Sequence, residues 1–428
     1  MQKTENEDLK TRETVKNILD QIRNQGESAV VELAEKFDGW TRDFLITRDE
    51  IEKLVAQVPQ RVKEDIQFAH DQVYGFATKQ RESLRAFETE LSPGVVLGQR
   101  LVPCQSAGCY VPGGRFAHAA SAIMSVATAK AAGVPFIVAC TPPRGESINP
   151  TVAYALSLSG ADVILAMGGV QAIASMAFGL FTGKVADIIV GPGNAYVAEA
   201  KRLLYGEIGI DVFAGPTESL VIADRTADPM IVAVDLVSQC EHGYDSPVWL
   251  LTDSEALGRK VIDIMPKVIA DLPDPEVARS SWQNYGEVVL CGDREELVRV
   301  NDEYAAEHVQ VIAEDVDWYL DNLKNYGSLF LGEGCTVSHG DKTSGTNHIL
   351  PTKKAARYSG GLNVGKFIKI LTYQKLSKEA NRTIGAVASR ISRYEGMEGH
   401  ARAADIRLRR YFPEEEFDFE VYDQKSYT

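Results

Sequence analysis

The sequence predicts an α/β protein: two doubly wound parallel-sheet units, with a helical segment before them and a helical arm after them. Three observations predict it. Short, fully apolar stretches alternate with segments whose apolar residues recur every three or four positions, which is how a parallel sheet covered on both faces reads. The 428 residues suffice for two to four domains, and 45% hydrophobic content is ordinary for a globular chain. No internal repeat or low-complexity tract breaks the alternation.

Residues 5 to 90 read as helices, with helical apolar spacing in segments such as ETVKNILDQIRNQGESAVVELAEKF. Near Leu91 the pattern changes, and ELSPGVVLGQRLVP and AGCYVPGG read as strands separated by turn residues. From there to about Asp224 helix and strand alternate. HAASAIMSVATAKAAG reads as a helix, FIVACTPP as a strand, INPTVAYALSLSGA as a helix and DVILAMGG as a strand; VQAIASMAFG, VADIIVGPG and AYVAEAKRLLYG continue the rhythm. A second stretch follows with DPMIVAVDLVSQCEHG helical, VWLLTDS a strand and EALGRKVIDIMPKVIADL helical. EELVRVNDEYA and HVQVIAED extend it to a Gly-rich region around residues 326 to 365. The tail from Leu376 to about Arg410 reads as one long polar helix running into PEEEFDFE. The expected divisions are 1–104, a helical segment leading into the first α/β domain; 105–220; 221–372; and 373–428, a helical arm.

Lys+Arg 45 against Asp+Glu 60 gives a net charge of -15. Wrapping nucleic acid or adhering to an anionic membrane needs a basic footprint, so both are excluded as functions. The start, MQKTENEDLKTRE, lacks the apolar core of a secretory signal. The most apolar stretches are strand-length, well short of the ~20 residues that cross a bilayer. Six cysteines (Cys104, Cys109, Cys140, Cys240, Cys291, Cys335) form no CxxC pair, which fits free thiols in a reducing compartment and a cytoplasmic protein.

Ligands of doubly wound sheets bind beyond the carboxyl ends of the strands. The dinucleotide fingerprint GxGxxG is absent, but Gly168-Gly169 and Gly191-Pro192-Gly193-Asn194 each follow a strand and precede a helix. Either can present backbone N–H groups to a phosphate; ordinary βα-turn glycines look the same, and spacing does not separate the two. Gln239 and His242 stand three apart on one helix face, Asp341 lies in SHGDKTSGTNH, and His400 in EGMEGHARA. Together they can assemble a zinc site, although glutamine is an unusual ligand and each histidine alone reads equally as structural. Glu307-His308, an acid beside an imidazole just before HVQVIA, would lie on the edge of the sheet. The pair can serve as two general bases, one for a hydroxyl and one for water. An idle exposed pair has the same signature.

Seven motifs occur in order: GCYVPGG (108–114), GGVQAIA (168–174), VGPGNAYVAEAKR (190–202), AGPTESLVIAD (214–224), SQCEHG (238–243), AAEHVQ (305–310) and SGTNHILPT (344–352). Joined by EGMEGHA near the C-terminus, they resemble the histidinol dehydrogenase family over roughly residues 90 to 410. The resemblance implies a homodimer whose subunits hold two Rossmann-like domains and exchange the C-terminal arm. Residues 105–220 would then form the NAD-binding domain, and 221–372 would carry the zinc and catalytic residues. It implies Zn2+, NAD, and a four-electron oxidation of a primary alcohol to a carboxylate through an aldehyde. Matched motif by motif, Gln239, His242, Asp341 and His400 would hold zinc, with His400 and Glu395 reaching the partner's site. Tyr110, Gln171 and Asn194 would touch NAD; His308 resembles the base for the alcohol and Glu307 the residue that activates water; Thr217 and His348 would line the substrate.

The substrate region departs from the family pattern. A Glu is usual four residues before the zinc Asp and a Tyr just after it; here those places hold Val337 and Lys342. After VPGG the chain runs Arg115-Phe116-Ala117-His118 instead of through small or apolar residues to a Ser. One acid lost and up to three basic groups gained (Arg115, His118, Lys342) point to an anionic alcohol carrying a sulfonate or carboxylate. Among members of the family, the motif set is most similar to enzymes that oxidise (R)-2,3-dihydroxypropane-1-sulfonate to (R)-sulfolactate with two NAD, and that resemblance implies the same reaction here. The alternatives are L-histidinol to L-histidine, and a zinc hydrolase or non-catalytic zinc-binding relative.

Overall fold

The computed structural model describes residues 2–113, 117–212 and 215–419, so Arg115 lies outside the described residues. By contacts the chain divides into one unit of Met1–Ser83 with Pro103–Ile368 and a second of Leu84–Val102 with Lys369–Thr428.

The first unit opens with four helices, α1 (Gln2–Gln25), α2 (Glu27–Asp38), α3 (Arg48–Gln57) and α4 (Gln60–Ser83). After a hairpin, β1 (Phe87–Ser92) and β2 (Val95–Pro103), the alternation begins: β3 (Ser106–Tyr110), α5 (Ala119–Ala132), β4 (Phe136–Thr141), α6 (Pro150–Ser159) and β5 (Val163–Ala166). It continues through α7 (Gly169–Phe178), β6 (Ile188–Val190), α8 (Ala195–Leu204) and β7 (Gly209–Ile210). The second run is β8 (Ser219–Ala223), α9 (Pro229–Cys240), β9 (Val248–Thr252), α10 (Glu255–Ala270), α11 (Pro275–Tyr285) and β10 (Gly286–Leu290). It ends with α12 (Arg294–Tyr304), β11 (His308–Ile312), α13 (Val316–Asn322), β12 (Ser328–Leu331) and α14 (Val337–Lys342).

The strands form two five-stranded sheets of the same topology, β5-β4-β3-β6-β7 and β10-β9-β8-β11-β12. Every pairing within them is parallel. Each chain path starts in the middle, winds outward one way and then the other, so each sheet has a switch point, β3/β6 in the first and β8/β11 in the second. Both sheets are buried as their apolar strands require: β3, β6, β8 and β11 are buried at every position. Helix α5 is buried nearly all round, as its Ala-rich and apolar sequence demands. Helix α9 is started by Asp228, whose Oδ1 accepts from Met230 N at 2.7 Å, with Pro229 at its first position. Its Val232, Ala233, Leu236, Val237 and Cys240 pack with Val221, Val248 and Leu250, which fixes the helix on the sheet.

The second unit holds a three-stranded sheet, β1-β2-β13, where β13 is Ile368–Leu376, and two helices, α15 (Asn381–Tyr394) and α16 (Glu398–Tyr411). Residues 84–102, read from sequence as part of the N-terminal segment, thus belong with the C-terminal arm. The single long helix expected from Leu376 onward is two helices, because Gly396 takes φ 76° and ends the first. Ser389 and Arg393 of α15 both bond Asp405 of α16, Arg393 Nη2 donating to Oδ2 at 2.6 Å. All six cysteines are free. Among the described residues no helix is long and apolar enough to cross a membrane.

Candidate active site

At the first switch point the carboxyl ends of β3 and β6 carry Tyr110 and Gly191. Gly191 takes φ 121°, and a Cβ there would strike the Tyr110 carbonyl, so only glycine fits. Its N–H donates to Asp211 Oδ2 at 2.7 Å, and Lys201 Nζ donates to its carbonyl at 2.9 Å and to Asp211 Oδ1 at 2.5 Å. Asn194 caps α8, its Oδ1 accepting from Tyr196 N and Val197 N at 3.0 and 3.1 Å. The Tyr110 hydroxyl accepts from Gly169 N at 3.2 Å at the start of α7, and burial pushes that phenol up to about 12. Gln171 Nε2 donates to Asp38 Oδ2 at 3.1 Å. The three residues matched to NAD therefore stand around three strand ends of one crevice. Asp38, from the end of α2, joins them; burial holds its carboxyl above the usual range.

The second group lies at the other edge of its sheet. Glu307 and His308 precede and open β11, an interior strand, so they sit at amino ends instead of carboxyl ends. The Glu218 carbonyl accepts from His308 N at 3.1 Å and from His308 Nδ1 at 3.2 Å. Glu218 N in turn donates to Glu307 Oε2 at 3.1 Å, and its carboxylate accepts from Lys353 N at 2.8 Å. A carbonyl can only accept, so Nδ1 of His308 carries a proton and Nε2 is the nitrogen left to exchange one. That Nε2 is buried without a hydrogen-bond partner, 3.6 Å from Asp341 Oδ1. Burial raises the Glu307 carboxyl, which His308 partly offsets. Burial opposes charge on His308, but Glu307 and Asp341 outweigh it and raise the imidazole. Asp341 stays ionised, held at about 2 against its burial chiefly by His308.

Gln239, the last residue but one of α9, has its Oε1 buried without a hydrogen-bond partner. His242 follows just past the helix with one side open, though the protein packed about it pushes its imidazole below the ordinary value. The charges acting on His242 are those of Asp341, His308, Lys342 and His348, so these side chains share one neighbourhood. No group of three or more His, Cys, Asp or Glu converges on a metal position among the described residues. The first unit supplies instead a carboxamide oxygen, a neutral imidazole and an ionised carboxylate. That donor set would fit zinc, and Gln239 Oε1 is a buried acceptor with no hydrogen-bond partner from the protein. His400 and Glu395 are exposed and belong to the second unit.

His348 joins the two halves. Its Nδ1 donates to the Asp341 carbonyl at 2.8 Å and its Nε2 meets Ser121 Oγ at 3.0 Å, near the start of α5. Asn347 Nδ2 donates to Met124 O at 2.9 Å beside it. Thr217 is half-buried just before β8. Val337 is buried as the first residue of α14, where the family's Glu would stand. Lys342 is exposed and close enough to His118 to act on it. Burial first, then Lys342, lower the His118 imidazole. Sequence reasoning missed Glu218, Asp38 and Ser121; the first stands inside AGPTESLVIAD, next to Thr217.

A family described as histidinol dehydrogenase matches residues 1–408. The chain is 55% identical over 409 residues to a sulfopropanediol 3-dehydrogenase of Ruegeria pomeroyi, covering 95% of this chain and 94% of that protein. It is 53% identical to a histidinol dehydrogenase homolog of Pelagibacter ubique, covering 95% and 96%. The crystal structure of histidinol dehydrogenase from Elizabethkingia anophelis superposes with a TM-score of 0.88 at 34% identity, covering 93% of this chain and 92% of that one.

Proposed function

Because the chain belongs to the histidinol dehydrogenase family, we propose that it oxidises a primary alcohol to a carboxylate in two NAD-dependent steps, with (R)-2,3-dihydroxypropane-1-sulfonate as substrate and (R)-sulfolactate as product. The observation that carries the chemistry is His308: Nδ1 is fixed on the Glu218 carbonyl and Nε2 is left free beside Asp341. Zinc, held by Gln239, His242, Asp341 and His400 of the partner subunit, would act as Lewis acid to the hydroxyl, while NAD accepts hydride.

The protein's own groups do the rest. His308 takes the hydroxyl proton at Nε2, the nitrogen its backbone anchor leaves open. Asp341, 3.6 Å from Nε2, would hold the imidazole less firmly once it also ligated a cation, leaving His308 able to accept a proton. Glu307, buried with its pKa raised, takes a proton from the water that adds to the aldehyde. Thr217 and His348 orient the substrate, and Tyr110, Gln171 and Asn194 hold the nicotinamide cofactor. The sulfonate reading is supported by Val337 and Lys342 on α14 and by the 55% identity to a sulfopropanediol dehydrogenase, against 34% to the histidinol dehydrogenase of known structure. The second reading is L-histidinol, favoured by the fold match and by sequence relatives named histidinol dehydrogenase, one of them 39% identical over 92% of this chain. A homodimer with exchanged arms is supported by an apolar stripe on α15: Ile384, Val387, Ile391 and Tyr394 are 39% to 50% exposed.

The test is NADH formation by purified, zinc-loaded protein with the dihydroxypropane sulfonate and with L-histidinol. Faster turnover of the sulfonate is expected. A preference for histidinol, with rescue of a histidine auxotroph, would establish the second reading instead.

A further inference from the structure

We infer that Asp235 and Ser238, on the last turns of α9, are positioning residues that set the geometry of the metal site, an assignment that rests on the zinc reading above. Three elements are involved. Helix α9 carries Gln239 and leads to His242, β11 opens with His308, and α14 carries Asp341. The Asp235 carboxylate ties them together. Its Oδ1 accepts from Thr336 Oγ1 at 2.9 Å, and Thr336 is the residue from which α14 starts. Its Oδ2 accepts from Gln310 Nε2 at 2.7 Å. Gln310 lies two residues after His308, so both side chains leave β11 on the same face. Gln310 Nε2 also donates to the Cys335 carbonyl at 2.9 Å, holding the segment just before α14 a second time. One carboxylate therefore fixes the separation of the elements bearing the base and three candidate ligands. Gln310 is fully buried, so this tie is shielded from water.

Ser238 decides which end of the Gln239 amide faces the site. Its hydroxyl donates to the Asp235 carbonyl at 2.7 Å, one turn back along the helix. With its proton committed there, Ser238 Oγ can only accept, and it accepts from Gln239 Nε2 at 3.1 Å. The amide NH2 is thereby held on the helix, and Oε1 is turned into the buried space where it has no protein partner. A reversed amide would set two acceptors against each other and turn an NH2 toward the cation, where it cannot ligate. Outer groups of this kind orient the ligands they touch, and losing one typically weakens metal binding about 10–100-fold.

The experiment measures zinc affinity by competition with a chromogenic chelator, and the visible absorption of the cobalt-substituted form. Ser238→Ala, Ser238→Thr and Asp235→Ala are compared with the parent, with thermal unfolding of each metal-free protein as the fold control. Affinity about 10–100-fold weaker in Ser238→Ala and Asp235→Ala, with a changed cobalt spectrum and recovery in Ser238→Thr, is the expected result. Parental zinc affinity and an unaltered cobalt spectrum in Ser238→Ala would overturn the assignment, and that variant decides alone if Asp235→Ala does not fold. A parent protein that binds no zinc overturns the metal reading itself, and this inference with it.

Discussion

The Glu218 carbonyl receives both the backbone N–H and the ring Nδ1–H of His308, so one atom fixes the tautomer of the candidate base. Glu218 N meanwhile holds Glu307. His308→Asn and Glu307→Gln should each keep the fold and lower kcat by about 10²–10⁴-fold, the usual contribution of a general base. Steady-state rates beside an unchanged thermal midpoint check this, and normal turnover in either variant refutes its role. His242→Ala and Asp341→Ala should lose bound zinc by elemental analysis; full metal content would remove them from the ligand set. At this scale the adjacent pair Glu307-His308 was visible in the sequence. Glu218 and Asp235 were not, because they act through hydrogen bonds to partners 75 to 101 residues away, which no local pattern records.

Among the elements, α8 and the loop before it show how the β3/β6 switch point is built. Lys201 and Asp211, both almost fully buried, grip the N–H and carbonyl of Gly191 between them. Lys201→Met would strand the Asp211 carboxylate in the interior, and removing one partner of a buried pair costs about 3–5 kcal/mol. Denaturant unfolding should show that loss, and an unchanged midpoint would mean that the pair is dispensable. The alternating helices and strands were legible because their periods differ, 3.6 against fully apolar runs. The break between α15 and α16 was not. An isolated glycine in a polar helical pattern costs only about 1 kcal/mol, so Gly396 gave no warning of its left-handed turn.

For the whole molecule, two sheets of one topology serve different ends. Under the proposed function the first would use its switch point at the carboxyl edge, as sheets of this kind ordinarily do. The second places Glu307 and His308 at the amino edge of its switch-point strands, which the general rule would not have chosen. The sequence located these residues through motifs, and the folding of distant loops onto that edge lay beyond local spacing. Ile391→Glu on the exposed stripe of α15 should convert a dimer to monomers in sedimentation and abolish turnover; an active dimer would argue against arm exchange. Removing zinc with a chelator should stop NADH formation and lower the thermal midpoint, since a ligand held only by the native state stabilises it. The most direct measurement is the yield of NADH per molecule of dihydroxypropane sulfonate consumed by the zinc-loaded protein. Oxidation of an alcohol through to the carboxylate yields two, with sulfolactate as the product and no aldehyde accumulating. One NADH per diol with aldehyde left in solution, or none at all, would contradict the account.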